Sequence, residues 1–276
     1  MKLAGVVVWY YPTDEDIKNI ETYIDEVDKL YIVDNSEKSH QNKVKKQRKI
    51  EYITKGENLG IATALNIAAR KAIAEGYDFL LTMDQDSCFK KHDLRKLKKI
   101  ASQEDLKKIG IISPWHHTKL KVEKPHERID YPLDVMTSGN ILNLDIYQQI
   151  GGFKDFLFID GVDIEYCLNL KKNGYQIMRI NEVELNHDLG DIFYRKFLKK
   201  EFMCDNHNYL RVYYMMRNYR YIRLSYRDIA PEFCDVLIKI KGLIFKIVFY
   251  EDDKFRKLRS IFLGIRDYKK GRYGKY

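Results

Sequence analysis

Four cysteines, Cys88, Cys167, Cys204 and Cys234, are scattered through the 276 residues with no CxxC pair among them. Neither a zinc knuckle nor a dithiol redox motif is therefore written into the chain, and reduced thiols of a cytoplasmic protein are the plain reading. No apolar run approaches the ~18–20 residues that span a bilayer. The longest late one, "GLIFKIVF" from Gly242, is broken by Lys246. The opening "MKLAGVVVWYYP" is short, β-branched and followed by Pro12 and acids, so it reads as a first strand and not as a signal peptide. There is no internal repeat, no low-complexity linker, and no glycine-rich phosphate loop after that strand, which argues against a nucleotidyltransferase. What is abundant is charge: 32% of residues are Asp, Glu, Lys or Arg, with a net +9. The excess invites an anionic partner such as a nucleotide, a nucleic acid or an anionic membrane face, without choosing among them.

Up to about residue 112, short β-branched runs alternate with helical stretches, the signature of βα units on a mostly parallel sheet. "LAGVVVWY", "KLYIVDN", "KIEYITK", "YDFLLTM" and "KKIGIIS" read as strands, with an acidic helical segment from Asp14 to Asp28 and an Ala-rich helix in "GIATALNIAARKAIAEG". Residues 114–132, with three prolines and three histidines, read as a loop that leaves room for an irregular strand. "DVMTSGNILNLDIYQQIGGF" reads as strand, short helix and glycine turn, and "DGVDIEYCLNLKKNGYQIMRI" as helix, glycine stop and strand. From Tyr194 onward no strand is expected, only basic, aromatic, helix-compatible segments.

The stretch "LLTMDQDS" ends an apolar strand on Asp84 and Asp86. Ligands of open α/β sheets sit beyond the carboxyl ends of strands, and alternate residues there can aim two carboxylates at one divalent cation. A solvated turn is the competing reading. In "VDNS", Asp34 and Asn35 could hydrogen-bond a base or ribose, or simply make a turn. In "GENLGIATALN", Asn58 and Gly60 stand where a helix start could approach a phosphate, or serve as a cap. "FIDGVDIEYCLNL" sets Asp160, Asp163 and Glu165 at a helix start, where the dipole favours an ionised carboxylate able to accept a proton; N-capping competes. His187, in "VELNHDLGD", could complete the shell of a carboxylate-bound metal, though a lone histidine is more often structural.

Taken in order from Leu3 to Gly190, "NLGIATALN", "MDQDS", "SGNILN", "GGF" and "FIDGVDIEYCLNLKKNGY" resemble a family-2 glycosyltransferase of the GT-A fold, and within it the bacterial rhamnosyltransferases of capsule and O-antigen assembly. The resemblance implies a catalytic domain over residues 1–190 and a C-terminal helical extension over 191–276. It implies a nucleotide-sugar donor, dTDP-rhamnose or a UDP-hexose, with Asp34 on the pyrimidine, Asn58 and Gly60 lining the nucleotide pocket, and Asp84 on ribose or metal-bound water. Asp86 would hold Mg2+ or Mn2+ with the diphosphate, and His187 would be a further ligand. Asp163 matches the general base, with Asp160 in reserve, because Val162 stands where many members carry a first acid. Ser138, Gly139, Asn140, Arg217 and Asn218 would lie on the acceptor side, and Glu165 would either contact the acceptor or orient the helix, the acceptor being a saccharide, lipid-linked in such pathways.

"YLRVYYMMRNYRYIRLSYR" interleaves arginine and tyrosine as nucleic-acid binders do, yet its apolar spacing fits a helix packed on the catalytic domain, and no nucleic-acid partner is expected. The basic, amphipathic last segment suits peripheral contact with the inner face of the plasma membrane, a homodimer contact or a solvated face.

Overall fold

The structure, a computed structural model, describes residues 1–44, 47–120, 122–187, 193–197, 200–237 and 239–276. A sheet built around β1 (Leu3–Trp9) organises the chain. To one side lie β2 (Lys29–Asp34) and β3 (Ile50–Thr54), and to the other β4 (Phe79–Asp84), all parallel. The strand order reverses at β1, so the crevice beyond the carboxyl ends of β1 and β4 is the topological switch point where α/β sheets take ligands. Register places Asp34 beside Trp9 and Asp84 beside Val8, one on each flank of the β1 terminus.

The far half of the sheet is mixed. Beyond β4, β8 (Asn140–Asn143) runs antiparallel, next to β6 (Ile109–His117), which pairs in parallel with β9 (Gln176–Asn186). Short β5 (Cys88–Phe89) and β7 (Ile129–Asp130) pair antiparallel with β9. β6 therefore runs past Pro114 into the stretch expected to be a loop with room for an irregular strand. The proline is accommodated because the β6–β9 register slips between Pro114 and Trp115, a bulge where a missing N–H does no harm.

β1 is buried along its whole length, and its alternating side chains enter two cores. Ala4, Val6 and Val8 face α2 (Ile61–Ala74), α4 (Leu144–Ile150) and α5 (Val162–Lys172). Leu3, Val7 and Trp9 face the other layer, with α1 (Asp14–Asn19) and α3 (Asp93–Ala101). The acidic helix expected to Asp28 stops at Asn19 and continues as two 3-10 turns. Thr22 contributes to the break, since its hydroxyl donates to the Asn19 carbonyl (2.7 Å) and competes with the helical ladder.

A hairpin of β10 (Phe193–Phe197) and β11 (Lys200–Cys204) corrects the expectation of no late strand; its lysine-rich sequence carries no apolar alternation. The boundary expected at residue 190 lies outside the described residues. The remaining elements are α6 (Tyr209–Tyr226), α7 (Pro231–Leu237), α8 (Ile240–Tyr250) and α9 (Lys254–Lys269). Among the described residues no helix is long and apolar enough to cross a membrane.

α6 is the bridge between the two regions. Ile222 and Tyr226 pack on Leu168 of α5, while Val212 and Met216 pack on Ile247 of α8 and Ile261 of α9. The α6–α9 crossing is close enough that a Cβ on Gly264 would lie 2.6 Å from the Tyr213 carbonyl and 3.1 Å from the Arg217 amide. Neither is a side-chain tip that can move aside. Gly264→Ala is accordingly expected to destabilise the fold by about 1–3 kcal/mol, read as a lowered denaturation midpoint, whereas an unchanged midpoint would mean the helices part freely.

Candidate active site

The Asp-Gln-Asp turn after β4 sorts its side chains by alternation. Gln85 turns inward to the scaffold: its Oε1 accepts from the Tyr10 amide (2.7 Å) and its Nε2 donates to Asp16 (3.3 Å). Asp84 and Asp86 turn the other way and meet His187, and one ligand atom from each of the three lies within 4.8 Å of the others. His187 arrives there because Cys88 pairs with Asn186, so the residues just before β5 and just after β9 face each other. Its Nδ1 shares a hydrogen bond with the Ser87 hydroxyl (2.7 Å) and lies 3.6 Å from Asp86 Oδ1, and its Nε2 is 4.0 Å from Asp84 Oδ2.

Burial pushes the Asp84 carboxyl up to about 6, with His187 opposing and Asp86 adding to the rise, and burial raises Asp86 as well. Two carboxylates gathered with too little positive charge are what a divalent cation would stabilise. Two oxygens and an imidazole nitrogen form a donor set that Mn2+ or Mg2+ accepts, and Ser87 fixes the ring as a supporting hydrogen-bond partner should.

The turn is itself held from below. Ser138 Oγ accepts the Asp84 amide (3.0 Å), and the Ser138 carbonyl accepts from His116 Nε2 (2.7 Å). Burial lowers His116 to about 4, so the ring is neutral. Gly139 donates its amide to the Thr82 carbonyl (2.7 Å), and Asn140 is buried with its amide on the Met136 carbonyl (2.7 Å). Ser138, Gly139 and Asn140, expected on the acceptor side, thus hold the turn that carries the acids.

Asp34 is also turned inward. Its carboxylate accepts from the Ser36 amide (2.9 Å), the His40 amide (3.1 Å) and the Tyr52 hydroxyl (2.5 Å), with His40 Nδ1 at 2.9 Å. Burial would raise it, but bonds from Ser36, Tyr52 and His40 outweigh that and hold it below the usual carboxylate range. The Asp34 side chain, expected on a pyrimidine, is fully buried in this arrangement, with most of its bonds on Oδ2. Asn58 Oδ1 accepts the Gly60 amide (2.9 Å), the local cap the sequence allowed. Gly60, at φ +82°, lets α2 start against the Phe158 carbonyl, which lies 2.5 Å from where a Cβ would stand.

That carbonyl belongs to the segment 153–161, which leads to Asp163 and is pinned from three directions. Asn66 of α2 exchanges hydrogen bonds with the Phe153 backbone (2.8 and 3.1 Å), and the Ile61 amide donates to Phe158 O (2.7 Å). From α6, Asn218 Nδ2 donates to the carbonyls of Leu157, Ile159 and Asp160 (2.8–2.9 Å). Arg217, 1% exposed, gives Nη2 to Leu157 O (3.0 Å) and Nη1 to Gly274 O (2.7 Å), while the Gly274 amide donates to Phe156 O (2.8 Å). Arg217 and Asn218 therefore hold the loop from behind, with their side chains buried and spent on backbone carbonyls.

Asp160 is bound by Arg211, whose Nη2 lies 2.7 Å and Nε 3.2 Å from Oδ1. The ion pair removes it from candidacy as a free base. Arg211, which sequence reading missed, also acts favourably on Asp84. It lies seven residues before Asn218 on one face of α6, a spacing that could have drawn attention to it. Glu165 is buried with Oε1 accepting the Tyr226 hydroxyl; it ties α5 to α6 and cannot reach an acceptor.

Asp163 opens α5, and its Oδ1 accepts the Ile164 amide (2.8 Å). With Thr82, Thr137 and Asn140 it lines a small cavity beneath the Ser138 turn. Burial raises its carboxyl to about 6, the Ile164 amide opposing and the negative charges of Asp134 and Asp160 adding to the rise. Desolvation thus outweighs the helix-start field on which the sequence reading relied.

A curled α/β sheet with acids at its switch point and a helical C-terminal part is the GT-A glycosyltransferase architecture. The profile of glycosyl transferase family 2 matches residues 15–157, just over half of the chain, and the protein belongs to that family. It is 23% identical to the dTDP-rhamnosyl transferase RfbF of Shigella flexneri, over 89% of this chain and 86% of the relative. It is 24% identical to the low-salt glycan biosynthesis hexosyltransferase Agl10 of Haloferax volcanii, over 67% of this chain and 66% of that one. In fold it is similar to S. aureus TarS 1–349 in complex with UDP-GlcNAc, at TM-score 0.56 and 13% identity, covering 97% of this chain and 80% of TarS 1–349. Similarity to GalNAc-T7 with UDP, GalNAc and Mn2+ is at TM-score 0.55 and 10% identity, over 68% of this chain but only 44% of that one.

The loop clamp has a kinetic consequence. A lysine at position 217 has one donor head and cannot span the carbonyls of Leu157 and Gly274 together. Arg217→Lys is expected to lower kcat about 10–100-fold by letting the loop that leads to Asp163 drift, with nucleotide affinity kept. Equal losses in kcat and nucleotide binding would instead indicate general unfolding.

Proposed function

We propose that the protein transfers rhamnose from dTDP-rhamnose, with inversion, onto a lipid-linked saccharide acceptor in bacterial surface polysaccharide synthesis. In this reading residues 1–190 form the catalytic domain and residues 191–276 the acceptor-side extension, working in the cytoplasm. The observation that carries the enzymatic reading is the convergence of Asp84, Asp86 and His187 at the switch point of the sheet. The similarity to RfbF favours rhamnose. The runner-up donor is a UDP-hexose, favoured by the fold's likeness to TarS, whose complex holds UDP-GlcNAc.

Asp84, Asp86 and His187 would hold Mg2+ or Mn2+, which when bound supplies neutralisation of the charge gathering on a departing nucleotide diphosphate. Asp163 takes the proton from the acceptor hydroxyl as that oxygen attacks the anomeric carbon and the sugar–diphosphate bond breaks. A carboxylate raised to about 6 suits this work, being basic enough to accept a proton and still ionised at neutrality. Arg211 lends positive charge to the same region, and the Arg217–Asn218 clamp keeps the base-bearing loop in place.

Removing the base should cost turnover and raise stability. Asp163→Asn is expected to reduce kcat about 10²–10⁴-fold while leaving nucleotide affinity in place. The folded state holds a proton on Asp163 up to pH about 6, whereas the unfolded chain releases it nearer 4. Wild-type stability therefore falls relative to the variant as pH rises through that window. Above it the variant should be the more stable by up to about 2–3 kcal/mol. The kcat/KM profile should rise with pH to a plateau with a midpoint near 6. A fully active Asn variant would remove Asp163 from the mechanism.

Calorimetric titration with dTDP and UDP, with Mn2+ or Mg2+ and then with EDTA, tests the donor. The expected result is metal-dependent binding that favours dTDP and weakens in Asp86→Ala. Preference for UDP would move the donor to a hexose nucleotide, and EDTA-insensitive binding would refute the metal role.

A further inference from the structure

The chain's positive charge is concentrated in its last two helices and the residues after them. Residues 239–276 hold twelve lysines and arginines against four acids, an excess of eight in a chain whose net charge is nine. Folding sharpens the imbalance. Glu251 and Asp267 are buried, the first paired with buried Lys257 (2.9 Å) and the second accepting the Tyr213 hydroxyl (3.0 Å). Eleven of the twelve bases stay at least partly accessible, with only Asp252 and Asp253 as exposed acids. Among the described residues, Lys254, Arg259, Lys269 and Lys270 have no ion-pair partner.

Large apolar side chains stand among these charges. On α9, Phe255 is 90% and Phe262 68% exposed, seven residues apart on one face, with exposed Arg259 between them. On α8, Lys241, Ile244 and Val248 form a second exposed row at helical spacing. The opposite faces of both helices are committed to α6 through Ile247 and Ile261. The outward residues are therefore not displaced core.

We propose that the outer face of α8 and α9 is a docking surface for an anionic lipid bilayer, with Phe255 and Phe262 entering the interface and the surrounding lysines and arginines resting on headgroup phosphates. Aromatic side chains flanked by cations partition into the headgroup–acyl boundary, and neither attraction alone holds a protein there firmly. A second copy of the chain is the poorer occupant, because a twofold contact would set the same positive surface against itself. A nucleic acid would meet the cations but leave Ile244 and Val248 without a partner. The inference rests on the proposed lipid-linked acceptor for its purpose, though not for its physics.

The test is co-sedimentation of the full chain with vesicles of phosphatidylcholine, with and without phosphatidylglycerol. Nucleotide binding is titrated on the same preparation. Binding should require the anionic lipid and weaken with added salt. Phe255→Ser with Phe262→Ser should lower the partition coefficient about tenfold or more while melting and nucleotide affinity stay unchanged. Failure of the wild type to sediment with anionic vesicles overturns the proposal. So does a double variant that binds them like the wild type, or a wild type that shifts a DNA oligonucleotide and ignores vesicles. Vesicle binding without nucleotide binding would keep this surface and refute the transferase reading, and the converse would refute the surface alone.

Discussion

The site depends on a strained loop that its neighbours over-determine. Phe158, at φ +67° and ψ −68°, closes a γ-turn in which the Ile159 amide bonds the Leu157 carbonyl (2.8 Å), and Asp160 sits at φ +62°. Non-glycine residues in such conformations cost on the order of 1–3 kcal/mol each and persist only where the surroundings leave no alternative. Here the surroundings are unusually specific. α2 starts against the loop through Gly60, α6 binds its carbonyls through Arg217 and Asn218, and Arg211 neutralises Asp160. The ties come from two elements, α2 and α6, so the position of Asp163 depends at once on a helix packed against the sheet and on the C-terminal helices.

This dependence explains why an isolated motif is a poor guide to the site. The Asp-Gln-Asp turn reads as an ordinary turn until Gln85 is seen anchored to Tyr10 and Asp16, which leaves the acids nowhere to face but the crevice. Burial raises both carboxyls, with Asp86 adding to the rise at Asp84 and Asp16 to the rise at Asp86, an unfavourable arrangement for a scaffold and a suitable one for a cation-dependent site. The same logic separates Asp163 from Asp160. Both are acids at the start of α5, but only Asp160 has a guanidinium on it.

Much of this was legible in the sequence, because strand-end acids and helix-start acids are local features. β1, β2, β3, β4 and α2 declare themselves through β-branched runs and alanine periodicity, and the Asp84–Asp86–His187 grouping followed from family resemblance and strand order. What the sequence did not show is burial. Ser138, Asn140, Glu165, Arg217 and Asn218 are polar residues expected on the acceptor side, and the fold buries all five. Burial of a polar side chain is decided by partners distant in the chain, such as His116 for Ser138 or Leu157 for Arg217. No local pattern encodes that. The β10–β11 hairpin escaped for another reason, since its pairing rests on backbone bonds and its apolar and charged side chains do not alternate.

The C-terminal helices are accordingly part of the enzyme and not an appendage to it. α6 alone contributes the charge near Asp84, the clamp on the loop that leads to Asp163 and the floor on which α8 and α9 lie. A helix with polar ties on one side and an apolar seam on the other has no freedom to slide, because either shift would strand buried donors or expose core. The positive face carried by α8 and α9 is thereby fixed relative to the crevice. Any anionic surface that engages it meets the active site in one orientation, set by the same arginine and asparagine that hold the loop.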